Sequence, residues 1–174
     1  EALEAALADA DRGMRYAAVQ ALGKAGAPPE ILAPRLSDEA WCVRREAGWW
    51  LRRGGEKARA LVEAALASGG AEVRATAAWT LSGFGAGSAP ALRSALADGD
   101  EHVRLEALAS LRRIGPPAAS AAPDVRTRLA GAASPEEAYE AALAAARLAP
   151  EEDAEAAPVL AAAVRTPALD ATWE

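Results

Sequence analysis

The sequence has very few of the side chains that build catalytic and metal sites. It contains one histidine, His102, and one cysteine, Cys42. A metal site or a Ser-His-Asp triad needs further ligands or a positioned base, and the sequence offers neither. A lone cysteine forms no internal disulfide, so nothing indicates an oxidising compartment, and a cytoplasmic location is expected. We therefore predict a non-enzymatic protein with no catalytic residues, no metal and no cofactor.

Long apolar runs and aromatic residues are also scarce. No apolar stretch reaches the roughly 18 residues of a membrane span, so no membrane insertion is expected. The first four residues lack the basic region and apolar core of a signal peptide. Because the chain starts with Glu1 and not with methionine, we expect it to be part of a longer protein. The sequence is 52% hydrophobic but only 5% aromatic, and much of the remainder is alanine, the best helix former. This composition predicts an all-α protein.

The net charge of −6 is unevenly distributed along the chain. Residues 134–174 contain nine acidic residues against Arg147 and Arg165, whereas the rest of the chain has a balance of +1. The acidity therefore belongs to the C-terminal end and is not a property of the whole surface.

A short sequence pattern recurs along the chain. The skeleton apolar-Arg-x-x-Ala-x-x-x-Leu-x-x-x-Gly occurs at residues 14–26, 43–55, 73–85 and 103–115, in steps of 29, 30 and 30 residues. A fixed period in this range is typical of stacked structural repeats. Each copy is preceded by a second apolar segment, so every repeat is predicted to be a pair of helices. A degenerate fifth copy has Ala138, Ala142 and Ala146 at the apolar positions, with Tyr139 in place of the arginine.

These repeats resemble HEAT repeats, and their short period is similar to that of the HEAT-like repeats of phycobilisome lyases. The resemblance implies a right-handed α-solenoid of antiparallel helix pairs, about five repeats plus one extra helix, with the arginine-bearing helices lining a concave face. We expect a single domain over residues 1–165 and a tail over 166–174. The predicted repeats are residues 1–26, 27–55, 56–85, 86–115 and 116–149, with a half repeat at 151–165.

The arginine-bearing helices have one face that should remain free. At about 100° per residue, positions 0, +4, +8 and +11 of each copy face the preceding helix, and +2, +6 and +9 lie opposite. The free positions are Tyr16, Gln20, Gly23, Arg45, Trp49, Arg52, Ala75, Trp79, Ser82, Leu105, Ala109, Arg112, Glu140, Ala144 and Arg147.

Tryptophan, tyrosine and arginine on this face predict a partner-binding site, because these residues are enriched at interface hot spots. The candidate binding residues are Tyr16, Arg45, Trp49, Arg52, Trp79 and Arg112. An acidic peptide with aromatic residues would suit them. The alternative is that Trp49 and Trp79 only fill space between helices, since tryptophan is usually largely buried. Trp50 is predicted to be in the core, and Trp41 is predicted to precede its helix.

The arginine at position +1 of each copy is interpreted as structural. Arg15, Arg44 and Arg104 are expected to pair with aspartates of the turn that precedes their own helix, namely Asp9 or Asp11, Asp38, and Asp98 or Asp100. The turn before Arg74 has no aspartate, so that arginine is expected to use an acid from a neighbouring repeat.

Three function classes follow. The first is a scaffold that binds a protein or peptide on the concave face. The second is a bilin-lyase-like subunit that binds a tetrapyrrole, which the resemblance alone suggests. The third is a nucleic-acid-binding module, which is disfavoured because that class needs a strongly basic groove and this chain is acidic overall.

Overall fold

In the computed structural model, residues 2–149 and Pro158 are described, and the regular secondary structure among them is helical. The α-helices are α1 (Ala2–Ala6), α2 (Arg12–Lys24), α3 (Pro29–Leu32), α4 (Trp41–Leu51), α5 (Gly55–Ser68), α6 (Ala71–Leu81), α7 (Ala89–Ala95), α8 (Glu101–Ile114), α9 (Ala122–Ala130) and α10 (Pro135–Leu148). Three 3₁₀ segments accompany them, at Ala33–Ser37, Ser82–Ser88 and Pro116–Ala121.

The helices pack as successive pairs. Helix α1 contacts α2, α3 and its 3₁₀ extension contact α4, α5 contacts α6, α7 contacts α8, and α9 contacts α10. The second helices of these pairs also contact one another in series, from α2 to α10. This arrangement confirms the predicted all-α solenoid of helix pairs. The half repeat and the tail predicted beyond residue 150 lie outside the described residues.

The repeating skeleton supplies the core and ends each repeat. In the second copy Val43, Ala47 and Leu51 are buried, as predicted for positions 0, +4 and +8. The glycine that closes each of the four full copies has a positive φ of 63–72°, a conformation that residues with a Cβ adopt at a cost. The pattern therefore encodes a helix of 11 to 14 residues followed by a sharp turn toward the next pair.

The free face of the second helices is narrower in the structure than the helical-wheel positions predicted. Ala75 and Ala144 were expected on the surface, but both are buried. The reason is that each second helix is covered by its own first helix and also by second helices of the adjacent repeats. The prediction for Met14 is wrong in the opposite direction, because this residue was expected to pack against the first helix and is exposed. Its partner, α1, is only five residues long and covers little of α2.

Side chains cap the N-termini of three second helices. The side chains of Asp11, Asp100 and Ser134 each accept hydrogen bonds from backbone N–H groups of the first turn of α2, α8 and α10. Asp38 does not cap α4, because Ala40 occupies the N-cap position of that helix. The Asp38 carboxylate instead accepts a hydrogen bond from the N–H of Ala40 and binds an arginine of the preceding repeat.

That arginine belongs to a ladder along one edge of the solenoid. Each +1 arginine donates to backbone carbonyls of the turn before its own helix and pairs with a carboxylate of the following repeat. The ion pairs are Arg15–Asp38 at 2.9 Å, Arg44–Glu72 at 2.8 Å, Arg74–Asp98 at 2.7 Å and Arg104–Glu137 at 2.6 Å. The structural role of these arginines is confirmed. Pairing with an acidic residue of a neighbouring repeat, which was predicted for Arg74 alone, occurs at all four arginines. The pairing predicted for the other three arginines is wrong, since their own turns contribute carbonyls, such as Asp9 O to Arg15.

Candidate functional site

A groove with aromatic walls lies on the free surface of α2, α4 and α6, which we call the second-helix surface. The groove has a volume of 580 Å³, and we call it the aromatic groove. Its lining residues are Arg12, Gly13, Tyr16, Trp41, Cys42, Arg45, Glu46, Trp49 and Trp79. Four of the six predicted binding residues, Tyr16, Arg45, Trp49 and Trp79, therefore line one depression.

The aromatic residues of this groove differ in exposure. Trp41 is 64% exposed and Trp49 is 46% exposed, whereas Tyr16 and Trp79 are partly buried. Exposed indoles are unusual for a monomeric surface and are a feature of protein interfaces. Trp41 was missed as a site residue because the prediction placed it before the helix, whereas it is the first residue of α4. Two positions before Val43, at about 160° on the wheel, it falls on the same face as Arg45 and Arg52.

Trp79 is held between two arginine side chains of the adjacent helix. The guanidinium carbons of Arg45 and Arg52 each lie 3.7 Å from the centroid of its ring. These arginines are two helical turns apart on α4, so the indole inserts between them. Gly48, on the same helix, permits the approach, because a Cβ there would overlap Thr80 Oγ1 and lie 3.0 Å from the Trp79 ring. Trp79 thus contributes to packing between α4 and α6 as well as to the groove wall.

Glu46 fixes the opposite wall of the groove. Its carboxylate accepts a hydrogen bond of 2.9 Å from the indole N–H of Trp50. Interaction of the Glu46 carboxylate with the phenol of Tyr16 raises the pKa of Tyr16 above its usual value. Trp50 packs on the core, as predicted, and occupies space that a side chain at Gly23 would fill. Gly23 was predicted on the free face, but its role is to admit this indole.

A cluster of three arginines, Arg45, Arg52 and Arg113, adjoins the aromatic groove. We call it the arginine cluster. Two of its members meet at one hydroxyl, because Ser82 Oγ accepts from Arg113 at 2.9 Å and from Arg52 at 3.3 Å. Arg52 also donates to the carbonyl oxygen of Trp79 at 2.7 Å. Gly83 leaves room for this side chain, since a Cβ there would lie within 2.9 Å or less of three Arg52 carbons.

Electrostatics distinguish this cluster from the edge ladder. Removal from water, followed by repulsion from Arg113 and Arg45, lowers the pKa of Arg52 to about 10. Removal from water also lowers the pKa of Arg45. The nearest carboxylate, that of Glu106, lies 3.8 Å from Arg45 and opposes both shifts. The lowered pKa of Arg52 still lies well above 7, so this guanidinium is charged at neutral pH and the site is cationic.

Arg112, the sixth predicted site residue, lies elsewhere. It lines a second depression of 510 Å³ between α8 and α10, which we call the basic groove. Arg113 and Arg147 line the same groove. Arg112 pairs with Glu140 at 3.3 Å, so part of its charge is already compensated. The prediction therefore combined residues from two depressions. It missed Arg113, which lines the basic groove and shares the Ser82 hydroxyl with Arg52.

Within residues 2–149 and Pro158, no three histidine, cysteine or acidic side chains are grouped as metal ligands would be. In the same part of the chain no helix combines the length and the apolar character required to cross a bilayer. Cys42 is a free thiol and lines the aromatic groove.

Comparison with protein families gives a match to HEAT repeats at residues 29–112 and 58–129, which together span more than half of the chain. Comparison with curated protein sequences finds no match. Among solved structures, the chain is similar to one in the complex of CpcE and CpcF of phycocyanin lyase from Nostoc sp. PCC7120. The TM-score is 0.60 with 27% identity, and the match covers 86% of this chain and 64% of that one. The chain thus spans less than two thirds of the lyase chain.

Two further solved structures share the fold. One is an engineered protein with a TM-score of 0.54 and 22% identity, in which the match covers 85% of this chain and 78% of the other. The other is a designed armadillo repeat protein in complex with the peptide (KR)4, with a TM-score of 0.53 and 20% identity. That match covers 82% of this chain and 78% of the designed one.

Proposed function

Since the chain belongs to the HEAT-repeat family, we propose that it is a non-enzymatic scaffold that binds a partner protein or peptide on the second-helix surface, which we take to be the concave face. The aromatic groove is the anchoring site. A cytoplasmic location, expected from the lone cysteine, is part of this proposal.

The exposure of Trp41 and Trp49 in one depression is the observation that carries the proposal. Two large indoles that are 64% and 46% exposed are not required by the packing of α4, whose core residues are Val43, Ala47 and Leu51. Burying such side chains against a partner provides the hydrophobic part of binding. Arg45 and Glu46 at the groove wall add polar groups that orient a ligand.

Selection of peptides from a random display library tests the proposal. Peptides that bind the wild-type protein are synthesised, and their Kd is measured by fluorescence anisotropy on wild type and on the Trp41→Ala/Trp49→Ala variant. We expect the variant to bind at least about tenfold more weakly, as for loss of an interface hot spot. The matched control is Leu3→Ala, which truncates an exposed apolar side chain on α1 and should leave Kd unchanged. If the selected peptides bind the Trp41→Ala/Trp49→Ala variant as tightly as they bind wild type, the aromatic groove is not the binding site.

A second candidate function is a tetrapyrrole-binding subunit like those of bilin lyases. The supporting observation is the 27% identity over 86% of this chain to a chain of the phycocyanin lyase complex. Titration of the protein with biliverdin tests it. Binding in the aromatic groove should shift the visible absorption band and induce circular dichroism in it, and both signals should weaken in the Trp41→Ala/Trp49→Ala variant. An unchanged spectrum at saturating protein would remove this candidate.

A further inference from the structure

We propose that the arginine cluster is a carboxylate-binding site, so that the partner is an acidic segment whose aromatic or aliphatic side chain occupies the neighbouring aromatic groove. This inference rests on the proposed function and specifies the class of partner.

The first support is the way in which two guanidinium groups converge. Arg52, directly after α4, and Arg113 on α8 come from different repeats, yet both donate to Ser82 Oγ. That hydroxyl donates its own hydrogen to the Trp79 carbonyl at 2.8 Å. A neutral hydroxyl that accepts from two cations leaves most of their donors unused, since each guanidinium has five N–H groups. The Nε of Arg52 is buried and has no hydrogen-bond partner in the structure.

The second support is the shortage of negative charge around the cluster. Among the described residues, Glu106 is the carboxylate that acts on Arg45 and Arg52, and it stands 3.8 Å from Arg45. Like charges held together in a partly dehydrated place are unfavourable unless an anion joins them. An incoming carboxylate would accept from Arg52 and Arg113 together and would relieve this repulsion. Bidentate geometry makes arginine especially suited to that ligand.

The third support is the contact between the cluster and the aromatic groove. Arg45 lines the groove, and its guanidinium stacks on Trp79, which also lines it. Arg52 stacks on the same indole. A side chain bound in the aromatic groove therefore lies beside the arginine cluster, so that a neighbouring residue of the same peptide can reach the arginines. This geometry favours a short motif in which an acidic residue is next to an apolar anchor.

An acidic peptide fits this surface better than a nucleic acid does. Nucleic-acid sites follow the phosphate backbone with an extended basic stripe. Here the cationic groups are compact, Glu106 and Glu140 interrupt them, and the whole chain is acidic with a net charge of −6. The site can accept one or two carboxylates but offers no continuous track.

Two labelled octapeptides test the inference by fluorescence anisotropy. One alternates glutamate with tryptophan, and the other alternates glutamine with tryptophan. We expect wild type to bind the glutamate peptide about tenfold more tightly, as one charge-assisted hydrogen bond would produce. The Arg52→Gln/Arg113→Gln variant should lose this preference and retain its affinity for the glutamine peptide.

The matched control variant is Lys57→Gln/Arg93→Gln, which removes the same charge from first helices α5 and α7 and should keep the preference. If wild type binds both octapeptides equally, and more tightly than Trp41→Ala/Trp49→Ala does, the carboxylate site is wrong and the scaffold proposal stands. If neither octapeptide binds, the acidic-aromatic class is wrong, and the random-library selection still decides the scaffold proposal. A labelled oligothymidylate that binds wild type more tightly than the glutamate octapeptide, and weakens in Arg52→Gln/Arg113→Gln, would overturn the inference in favour of nucleic acid.

Discussion

Arginine occurs in two opposite settings on the second helices of this solenoid. Along the edge, the ladder arginines Arg15, Arg44, Arg74 and Arg104 each pair with a carboxylate of the next repeat. On the second-helix surface, Arg52 and Arg113 have hydroxyl and carbonyl partners in place of a carboxylate. The two settings can be adjacent in the sequence, because Arg44 belongs to the ladder and Arg45 belongs to the arginine cluster.

The pKa directions report the same difference. Hydrogen bonds to Asp38, Asp98 and Glu137 raise the pKa of Arg15, Arg74 and Arg104 above the ordinary value. Removal from water lowers the pKa of Arg45 and Arg52. Charges that are closely paired hold repeats together, whereas charges with a distant carboxylate or none reduce stability and are available to a ligand. Position +1 is therefore structural, and positions +2, +9 and +10 are candidates for binding.

Acid should produce the largest effect, because it removes several ladder pairs at once. Hydrogen bonding to Arg74 lowers the pKa of Asp98, and pairing with arginine lowers the pKa of Asp38 and Glu137 although their burial opposes this. The unfolded chain has ordinary values near 4, so it binds more protons at that pH, and the free energy of unfolding rises with pH there. The stabilisation should be complete above about pH 5 and should be lost as pH falls through the lowered folded-state values.

Urea unfolding between pH 3 and pH 7 measures this dependence. The Asp98→Asn variant removes one of the three carboxylates, so its unfolding free energy should change less steeply with pH than that of wild type. Equal slopes for the variant and wild type would show that the Arg74–Asp98 pair is not a source of the acid sensitivity.

Breaking a single ladder pair should have the next largest effect. The Glu137→Ala substitution leaves Arg104, itself buried, without its carboxylate, and it also removes the acceptor for the N–H of Ala133. We expect a loss of about 3 kcal/mol in the free energy of unfolding. The control is Asp124→Ala, which breaks the exposed pair with Arg93 and should cost less than about 1 kcal/mol. Similar losses in the two variants would contradict a special role for the buried pair.

The fold was predictable from the sequence because one pattern carries most of it. The recurring leucine, alanine and glycine positions specify helix length, close helix contact and the turn at φ near 70°, and each is a local property. The partners of the ladder arginines were not predictable in the same way. Whether the Asp38 carboxylate pairs with Arg44 of its own repeat or with Arg15 of the preceding one depends on how adjacent helix pairs stack. A helical wheel describes a single helix and gives no information on that stacking.

The candidate site was predictable in part for a related reason. The wheel assigns Arg45, Trp49 and Arg52 to one face, because these residues share a helix. It does not reveal that Trp79 of the next helix inserts between two of them, or that Arg113 approaches Arg52 at Ser82. Arg112 was grouped with the others because it has the same repeat position as Arg52, although the structure places it in the basic groove. Repeat position identifies the face, and only the stacking of helices identifies which residues meet.

The smallest effect on stability should come from the arginine cluster, and it gives the sharpest test of the comparison. Arg113→Gln removes an exposed cation whose partners are two serine hydroxyls, and it relieves repulsion on Arg45 and Arg52. The free energy of unfolding should therefore stay within about 0.5 kcal/mol of wild type or rise slightly. The identical substitution in the ladder, Arg104→Gln, removes the shorter of the two ion pairs of the buried Glu137 carboxylate, which keeps Arg128 at 3.3 Å, and should cost about 3 kcal/mol. Urea unfolding at neutral pH compares the two directly. If Arg113→Gln destabilises the protein as much as Arg104→Gln does, the cluster holds the repeats together as the ladder does, and its arginines are not reserved for a partner.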